Sequence, residues 1–150
     1  DVLIEPESAI ALITVPSDQQ RELLKRIEEL PWTGSEQLAL DAHRQLQSVE
    51  IDEPQSLLKL GLLLYYARRY DEALGVLEKI QPSAPANMEF AARVWEGHLL
   101  DLQGRRNEAV SRYEKALEVP GSPKVRHDQY SMTIDAEWVR TRLRTAFRRE

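Results

Sequence analysis

This chain of 150 residues is long enough for one domain, and its 42% hydrophobic and 30% charged residues are typical of a globular protein. It has 20 Lys and Arg against 25 Asp and Glu, and the resulting net charge of −5 leads us to predict no nucleic-acid partner. The sequence contains no cysteine, which excludes disulfides and leaves the redox compartment open, with a cytoplasmic location favoured. No apolar run reaches the roughly 20 residues of a membrane span, so we predict no membrane partner.

Residues 1–16 are predicted to form an extended N-terminal arm. The run from Ala9 to Val15 is short and β-branched towards its end, which favours a strand over a helix. The beginning of the chain is acidic, unlike the basic start of a signal peptide. An isolated strand needs a partner for its backbone groups, so the arm packs on the body of the protein or pairs with another chain or domain.

From Ser17 to Glu118 the sequence alternates helical patterns with short turns. Ser17 stands three residues before Gln20, which is the spacing of a capping box, and Pro31 closes the helix that this box begins. Apolar residues recur at helical spacing in five further segments, at about 36–49, 54–69, 71–80, 87–103 and 107–118. The Pro-Gly-Ser-Pro stretch at 120–123 is the clearest break, and an amphipathic helix is predicted after it, over about 135–148.

Two parts of this helical region repeat at a constant offset of 36 residues. The residues Gly61, Leu64, Ala73 and Leu77 correspond to Gly97, Leu100, Ala109 and Tyr113. Small residues at these places allow two helices to approach each other closely. The motif GRRNEA at 104–109 and its counterpart ARRYDEA at 67–73, with Ala67 where glycine is usual, resemble the turn of the tetratricopeptide repeat, a helical hairpin that recurs about every 34 residues.

The resemblance covers about residues 20–123 and implies an all-α fold. The expected architecture is a right-handed superhelical stack of about three helix-turn-helix hairpins with an extended N-terminal arm and a C-terminal capping helix. A plain helical bundle is the alternative. The expected divisions are the arm at 1–16, the repeat domain at 17–123 with units at about 20–53, 54–87 and 90–123, and a loop with the capping helix at 124–150.

The first of these units is degenerate. Gly34 and Ala39 keep the five-residue spacing of Gly104 and Ala109, which supports a repeat there. However, Ile27 stands where the first helix of the other units carries glycine. We therefore expect two regular repeats and one degenerate repeat.

The sequence predicts no catalysis, no cofactor and no metal site. His43, His98 and His127 have no second histidine or carboxylate at the spacing of a metal motif. There is no glycine-rich phosphate loop and no nucleophile elbow. The carboxylates occur in short runs, which are typical of solvated helix faces.

A partner-binding groove is expected from the resemblance, because the first helices of such repeats line a concave surface that holds peptides or helices. The expected groove residues are Leu58, Leu62, Tyr65, Tyr66, Val94, His98, Asp101 and Leu102, with Leu24, Glu28, Trp32, Gln55 and Ala91 beside them. Some members of the family hold the carboxylate end of a chaperone tail with Lys, Asn and Arg. Here the corresponding places are taken by Leu58, Leu62 and Trp95, so no chaperone-tail clamp is expected.

The C-terminal helix has an apolar face and many arginines. The residues expected on the apolar face are Ile134, Trp138, Val139, Leu143 and Phe147. We predict that this helix covers the last repeat or folds back towards the groove. The alternatives are that it docks into the groove of a second copy, giving a homodimer, or that its arginines meet an acidic partner or nucleic acid, although the local positive charge is too small to point to nucleic acid. The stretch from Arg126 to Tyr130 fits no repeat, and its role stays open.

These features predict a non-enzymatic scaffold or adaptor that binds a partner protein or peptide in an apolar groove. The chain begins at Asp1 without methionine, so we expect a fragment or a processed product. This leaves two alternatives: an accessory domain of a larger multidomain enzyme, and a module for self-association through the C-terminal helix.

Overall fold

The computed structural model describes residues 17–121, 123–127 and 132–149. The predicted arm at 1–16 and residues 128–130 of the unassigned loop lie outside the described residues. Within the described part the fold is all-α apart from one small sheet. The helices are α1 (Asp18–Glu29), α2 (Glu36–Leu46), α3 (Pro54–Tyr66), α4 (Tyr70–Leu77), α5 (Ala86–Leu102), α6 (Arg106–Leu117) and α7 (Ala136–Arg144).

Helix α1 begins at the predicted capping box. The Ser17 hydroxyl accepts a hydrogen bond from the Gln20 backbone N–H at 3.1 Å, and the Gln20 side chain accepts one from the Ser17 N–H at 2.7 Å. Gln20 Nε2 also donates to the Glu50 carbonyl at 2.6 Å, which ties the start of α1 to the connection between α2 and α3. A box of this kind stabilises a helix end by about 1 kcal/mol.

The repeated glycines lie where pairs of helices touch. A Cβ built on Gly61 of α3 would lie 2.6 Å from Leu77 Cδ2 of α4, and a Cβ on Gly97 of α5 would overlap the Tyr113 ring of α6. Both contacts are closer than van der Waals packing allows for any residue larger than glycine. The prediction that these glycines permit close approach is confirmed, and the same contact occurs twice at the 36-residue offset.

The core is continuous from α1 to α7. The small residues of the second helices, Ala39, Ala73 and Ala109, are fully buried, as their repeat positions predict. Helix α5 contacts α3, α4 and α6, so it is enclosed on several sides. Val94 on this helix is therefore fully buried in the core, and the expectation that it faces a groove is corrected.

The turns between paired helices share one left-handed position. Gly34, Arg68 and Gly104 have φ values of +71°, +60° and +74°. In the turns at Arg68 and Gly104, the residue that follows also makes the same backbone hydrogen bond. The Arg69 N–H donates to the Leu64 carbonyl and the Arg105 N–H to the Leu100 carbonyl, both at 2.9 Å. The glycine position of the second repeat is thus Arg68, which corrects the sequence-based placement at Ala67, whose φ is −77°.

Replacing Arg68 by glycine is expected to raise the free energy of unfolding by about 0.5–1 kcal/mol. Glycine removes the strain of a left-handed Cβ, roughly 1–2 kcal/mol, and this exceeds the entropy that it adds to the unfolded chain. Urea denaturation measures the difference. Ala67→Gly is the matched control: at its ordinary φ the substitution has no strain to relieve, so an equal gain at both positions would contradict the argument.

The region before the last helix is a short β-ladder instead of an irregular loop. Strand β1 (Val125–His127) pairs antiparallel with β2 (Met132–Ile134), and Val125 stands opposite Ile134. Ile134 therefore belongs to a strand, which corrects its assignment to the apolar face of the helix. Asp135 caps α7, since its carboxylate accepts a hydrogen bond from the Trp138 N–H at 3.0 Å.

Candidate functional site

An open cavity lies between the first helices of the three helix pairs, with one strand at its side. Its volume is about 1080 Å³, which is slightly above the range of about 300–1,000 Å³ that is usual for small-ligand sites in proteins. The walls come from α1, α3, α5 and β1. The lining residues include Glu28, Trp32, Gln55, Leu58, Lys59, Leu62, Met88, Ala91, Trp95 and Val125.

An exposed tryptophan forms part of the cavity wall. Trp32 is 42% exposed, and its ring meets the Tyr66 ring edge-on at 6.3 Å between centroids. Lys59 Nζ lies 5.6 Å from the Trp32 ring centroid and donates a hydrogen bond to the Glu28 carbonyl at 2.7 Å. Partial burial lowers the pKa of the Lys59 amine, and the charge of Glu28 acts in the opposite direction. Trp32 is thus an aromatic side chain that contacts its neighbours and stays partly exposed at the cavity.

Beyond Trp95, the expected groove residues His98 and Tyr65 are covered by residues near the C-terminus. We call residues 145–149 the C-terminal segment. Phe147 of this segment stacks on the His98 ring with a centroid distance of 3.9 Å and an angle of 14°, and it meets the Trp95 ring edge-on at 5.9 Å. The Trp138 indole N–H donates to His98 Nε2 at 3.2 Å, which leaves the proton of a neutral His98 on Nδ1. Helix α7 itself packs on α6, and the segment after the helix lies against His98 and Trp95.

Asp101 is the polar centre of this contact, and its side chain is fully buried. Oδ2 accepts hydrogen bonds from the Tyr113 hydroxyl at 2.6 Å and from the Phe147 backbone N–H at 2.9 Å. Arg106 Nη1 lies 3.0 Å from each Asp101 oxygen, so the negative charge is paired. Burial and the Asp101 carboxylate raise the pKa of the Tyr113 hydroxyl, which therefore stays a donor at all ordinary pH values.

The same groups end α7 at Arg144, earlier than the predicted end near residue 148. Arg106 Nη2 donates to the carbonyls of Arg142 and Leu143, at 2.7 and 3.0 Å. Asp101 takes the Phe147 N–H that another helical turn would have bonded to Leu143. The last turn is thus replaced by contacts with α5 and α6, and Phe147 lies beyond the helix instead of on its apolar face.

Arg149 binds the C-terminal end of α3. Its Nη1 donates to the Tyr65 carbonyl at 2.6 Å and its Nη2 to the Tyr66 carbonyl at 3.3 Å. The guanidinium carbon lies 4.5 Å from the Tyr65 ring centroid, and Nη1 is 3.3 Å from the Tyr70 hydroxyl. A cation at this place is favourable because the final carbonyls of a helix carry the negative pole of its dipole.

The structure divides the expected groove residues into three groups. Leu58 and Leu62 line the open cavity, together with four of the neighbours that the sequence placed beside them: Glu28, Trp32, Gln55 and Ala91. Trp95 lines it as well. The groups in contact with the C-terminal region are Tyr65, Tyr66, His98 and Asp101. Val94 is in the core, and Leu24 and Leu102 are half-buried and do not line the cavity.

The remaining members of the predicted apolar face pack as expected. Val139 is fully buried, and Trp138 and Leu143 are half-buried against the core. Sequence reasoning did not single out Lys59, Arg106 or Arg149 as members of the site. Each of them acts on a partner 31 to 84 residues away, so local spacing carried no signal for their roles.

A second cavity of about 550 Å³ is lined by charged groups of α4, α5 and α6. Its buried member is Glu96, which pairs with Arg93 and, at 3.1 Å, with Arg112. Arg112 also binds Glu78 at 3.0 Å, and Arg93 donates to the Ile80 carbonyl. Burial raises the pKa of Glu96, while the two guanidiniums act against that rise. The network joins three helices, and its charges compensate one another.

The described residues contain no group of three side chains that could hold a metal ion, and no helix among them is long and apolar enough to cross a membrane. Comparisons of the chain with protein-family models, with curated proteins and with solved structures found no match.

Proposed function

We propose that the chain is a stack of tetratricopeptide-like repeats that serves as a protein-interaction module, binding a peptide segment of a partner in the open cavity. The observation that carries this proposal is the cavity between α1, α3 and α5, with the exposed Trp32 in its wall. An exposed aromatic ring beside an apolar recess is the usual anchor of a protein interface.

Two repeated features support the stack. The contacts of Gly61 with Leu77 and of Gly97 with Tyr113 are separated by 36 residues, as are the left-handed positions Arg68 and Gly104. Gly34 takes the same backbone conformation 34 residues before Arg68, which supports a third, degenerate unit. Helical repeats of this length stack through their neighbours and present the first helices on one surface.

The cavity lining favours a peptide with apolar side chains. Leu58, Leu62, Met88 and Ala91 supply apolar surface from α3 and α5. The charged groups at the walls have both signs, so the field does not select a strongly charged ligand. The size of the cavity suits a few side chains of an extended or helical segment.

A selection of peptides from a display library on the intact chain tests the proposal. The expected result is a set of apolar peptides whose binding falls at least about tenfold in Leu58→Glu, because a charge in the wall leaves a buried carboxylate without a partner. Leu58 is half-buried, so circular dichroism is expected to show unchanged helix content. Fluorescence anisotropy measures the dissociation constants.

Leu38→Glu is the matched control for this experiment. Leu38 is also an apolar helix residue, 50% exposed, but it lies outside the cavity. Its replacement is expected to leave peptide binding unchanged. Selected peptides that bind both variants equally well would mean that the open cavity is not the binding site, and the proposal would be abandoned.

A further inference from the structure

The part of the groove that the C-terminal segment occupies shows which side chains can bind there. Phe147 lies between the rings of His98 and Trp95, and the Arg149 guanidinium lies on the Tyr65 ring. These two side chains are two positions apart, as expected for neighbours on one side of an extended chain. Arg148 between them is exposed.

We infer that this half of the groove is a binding site for an extended peptide segment of a partner, in which an aromatic residue is followed two positions later by arginine. The C-terminal segment occupies the site as a built-in competitor of that partner. The inference rests on the proposed function, because Trp95 forms part of both the open cavity and the aromatic subsite. A partner segment that runs along the whole groove has to displace Phe147.

The aromatic subsite is specific in geometry. The stack of Phe147 on His98 places two rings almost parallel, and Trp95 closes the subsite edge-on. Asp101 adds an acceptor for the backbone N–H of the same residue at 2.9 Å. An incoming peptide can therefore be recognised by both the ring and the main chain at one position.

The arginine subsite is formed by backbone carbonyls. The carbonyls of Tyr65 and Tyr66 accept from the two terminal nitrogens of Arg149, which fixes the plane of the guanidinium over the Tyr65 ring. A lysine ammonium has no planar fork to match this pair of acceptors. We expect the site to prefer arginine.

The C-terminal segment is suited to displacement. It belongs to neither a helix nor a strand. The contacts with the groove described above run through Phe147 and Arg149, and a peptide with the same two side chains reproduces them. The helix pairs α3–α4 and α5–α6 pack on each other directly. We therefore expect the body to keep these pairs when the segment leaves, although Phe147 is buried against it.

A titration with a synthetic peptide tests the inference. The probe is a fluorescein-labelled peptide with the sequence of residues 144–149, and the protein is the full chain with Phe147→Ala and Arg149→Ala, which vacates the site. Anisotropy is expected to show binding in the submillimolar range. Peptides carrying Phe147→Ala or Arg149→Ala are expected to bind at least about tenfold more weakly, and the peptide carrying Arg148→Ala equally well.

The unmodified chain provides a second measurement that does not depend on the folding of the variant. In it the Phe147 amide is held by Asp101, so its hydrogen exchange, followed by NMR, is expected to be slow. Adding the native peptide at millimolar concentration should accelerate this exchange by releasing the segment. The Arg149→Ala peptide is expected to have little effect at the same concentration.

Two results would overturn the inference: a folded variant that binds the native and Arg149→Ala peptides equally or binds neither, or exchange at Phe147 that no peptide changes. If the variant does not fold, the exchange experiment alone decides. Peptides selected for the open cavity are titrated in parallel. If they bind and the C-terminal peptide does not, this inference fails while the proposed function stands.

Discussion

Replacing Asp101 by alanine is expected to lower the free energy of unfolding by about 3–5 kcal/mol, which is the usual cost of removing one partner from a buried charged network. The Asp101 side chain is fully buried and pairs with Arg106 at 3.0 Å. Its removal leaves the Tyr113 hydroxyl and the Phe147 N–H without their acceptor. Urea denaturation followed by circular dichroism measures the loss.

The effect is expected to extend to the C-terminal segment. Without Asp101 nothing in the network holds the Phe147 N–H, so its hydrogen exchange should approach the rate of an open segment. Asp101→Asn keeps an acceptor oxygen but loses the charge that pairs with Arg106, and we expect an intermediate loss of about 1–3 kcal/mol. The difference in the free energy of unfolding between Asp101→Ala and Asp101→Asn separates the contribution of the accepted hydrogen bonds from that of the charge.

A surface aspartate supplies the comparison. Asp41 pairs with Arg44 at 3.0 Å, and the two side chains are 44% and 71% exposed. Exposed pairs of this kind contribute about 0–1 kcal/mol, so Asp41→Ala is expected to cost no more than that. If Asp101→Ala were as mild as Asp41→Ala, the buried network would not stabilise the fold in the way described above.

The helices were predictable because their signals are local. Ser17 and Gln20 form a capping box three residues apart, and a proline follows the end of the helix that they begin. The small residues Gly61 and Gly97 were predictable for a different reason: they repeat, and a repeated small residue within an apolar helix indicates a close contact. Local spacing and repetition together predicted the helices of the body and which of them pair.

The end of the chain was harder to predict because long-range contacts determine it. Sequence periodicity extended the last helix through Phe147, but Asp101 and Arg106, which lie 46 and 36 residues earlier than their partners Phe147 and Arg142, end it at Arg144. A three-residue strand such as β1 is too short to show an alternating pattern. The groove prediction was also incomplete. Helical spacing identifies residues that face away from the core, but it does not reveal which of them the C-terminal segment will cover.

The turn at Arg68 shows how a repeat can mislead. The residue has a left-handed conformation that favours glycine, but the sequence carries arginine there and the resemblance placed the glycine position one residue earlier. The backbone keeps its shape because the hydrogen bond from Arg69 to Leu64 matches the one from Arg105 to Leu100. The same main-chain hydrogen bond thus accompanies the turn whether the left-handed position carries arginine or glycine.

Replacing Gly97 by alanine is expected to lower the free energy of unfolding by about 2–3 kcal/mol, although alanine is the better helix former. The added Cβ would overlap the Tyr113 ring. The ring is fully buried and its hydroxyl is held by Asp101 at 2.6 Å, so it has little freedom to move aside. The steric cost therefore exceeds the gain in helix propensity, which is at most about 1 kcal/mol.

Gly75 offers the matched control, since it lies within α4 and a Cβ there would meet no atom within 4 Å. Gly75→Ala is expected to stabilise the protein by about 0.5–1 kcal/mol through propensity alone. A double-mutant cycle with Tyr113→Leu completes the test, because the smaller side chain makes room for the new Cβ. The cost of Gly97→Ala should fall in the Tyr113→Leu background, and a cost that stays the same would show that the α5–α6 contact does not require glycine.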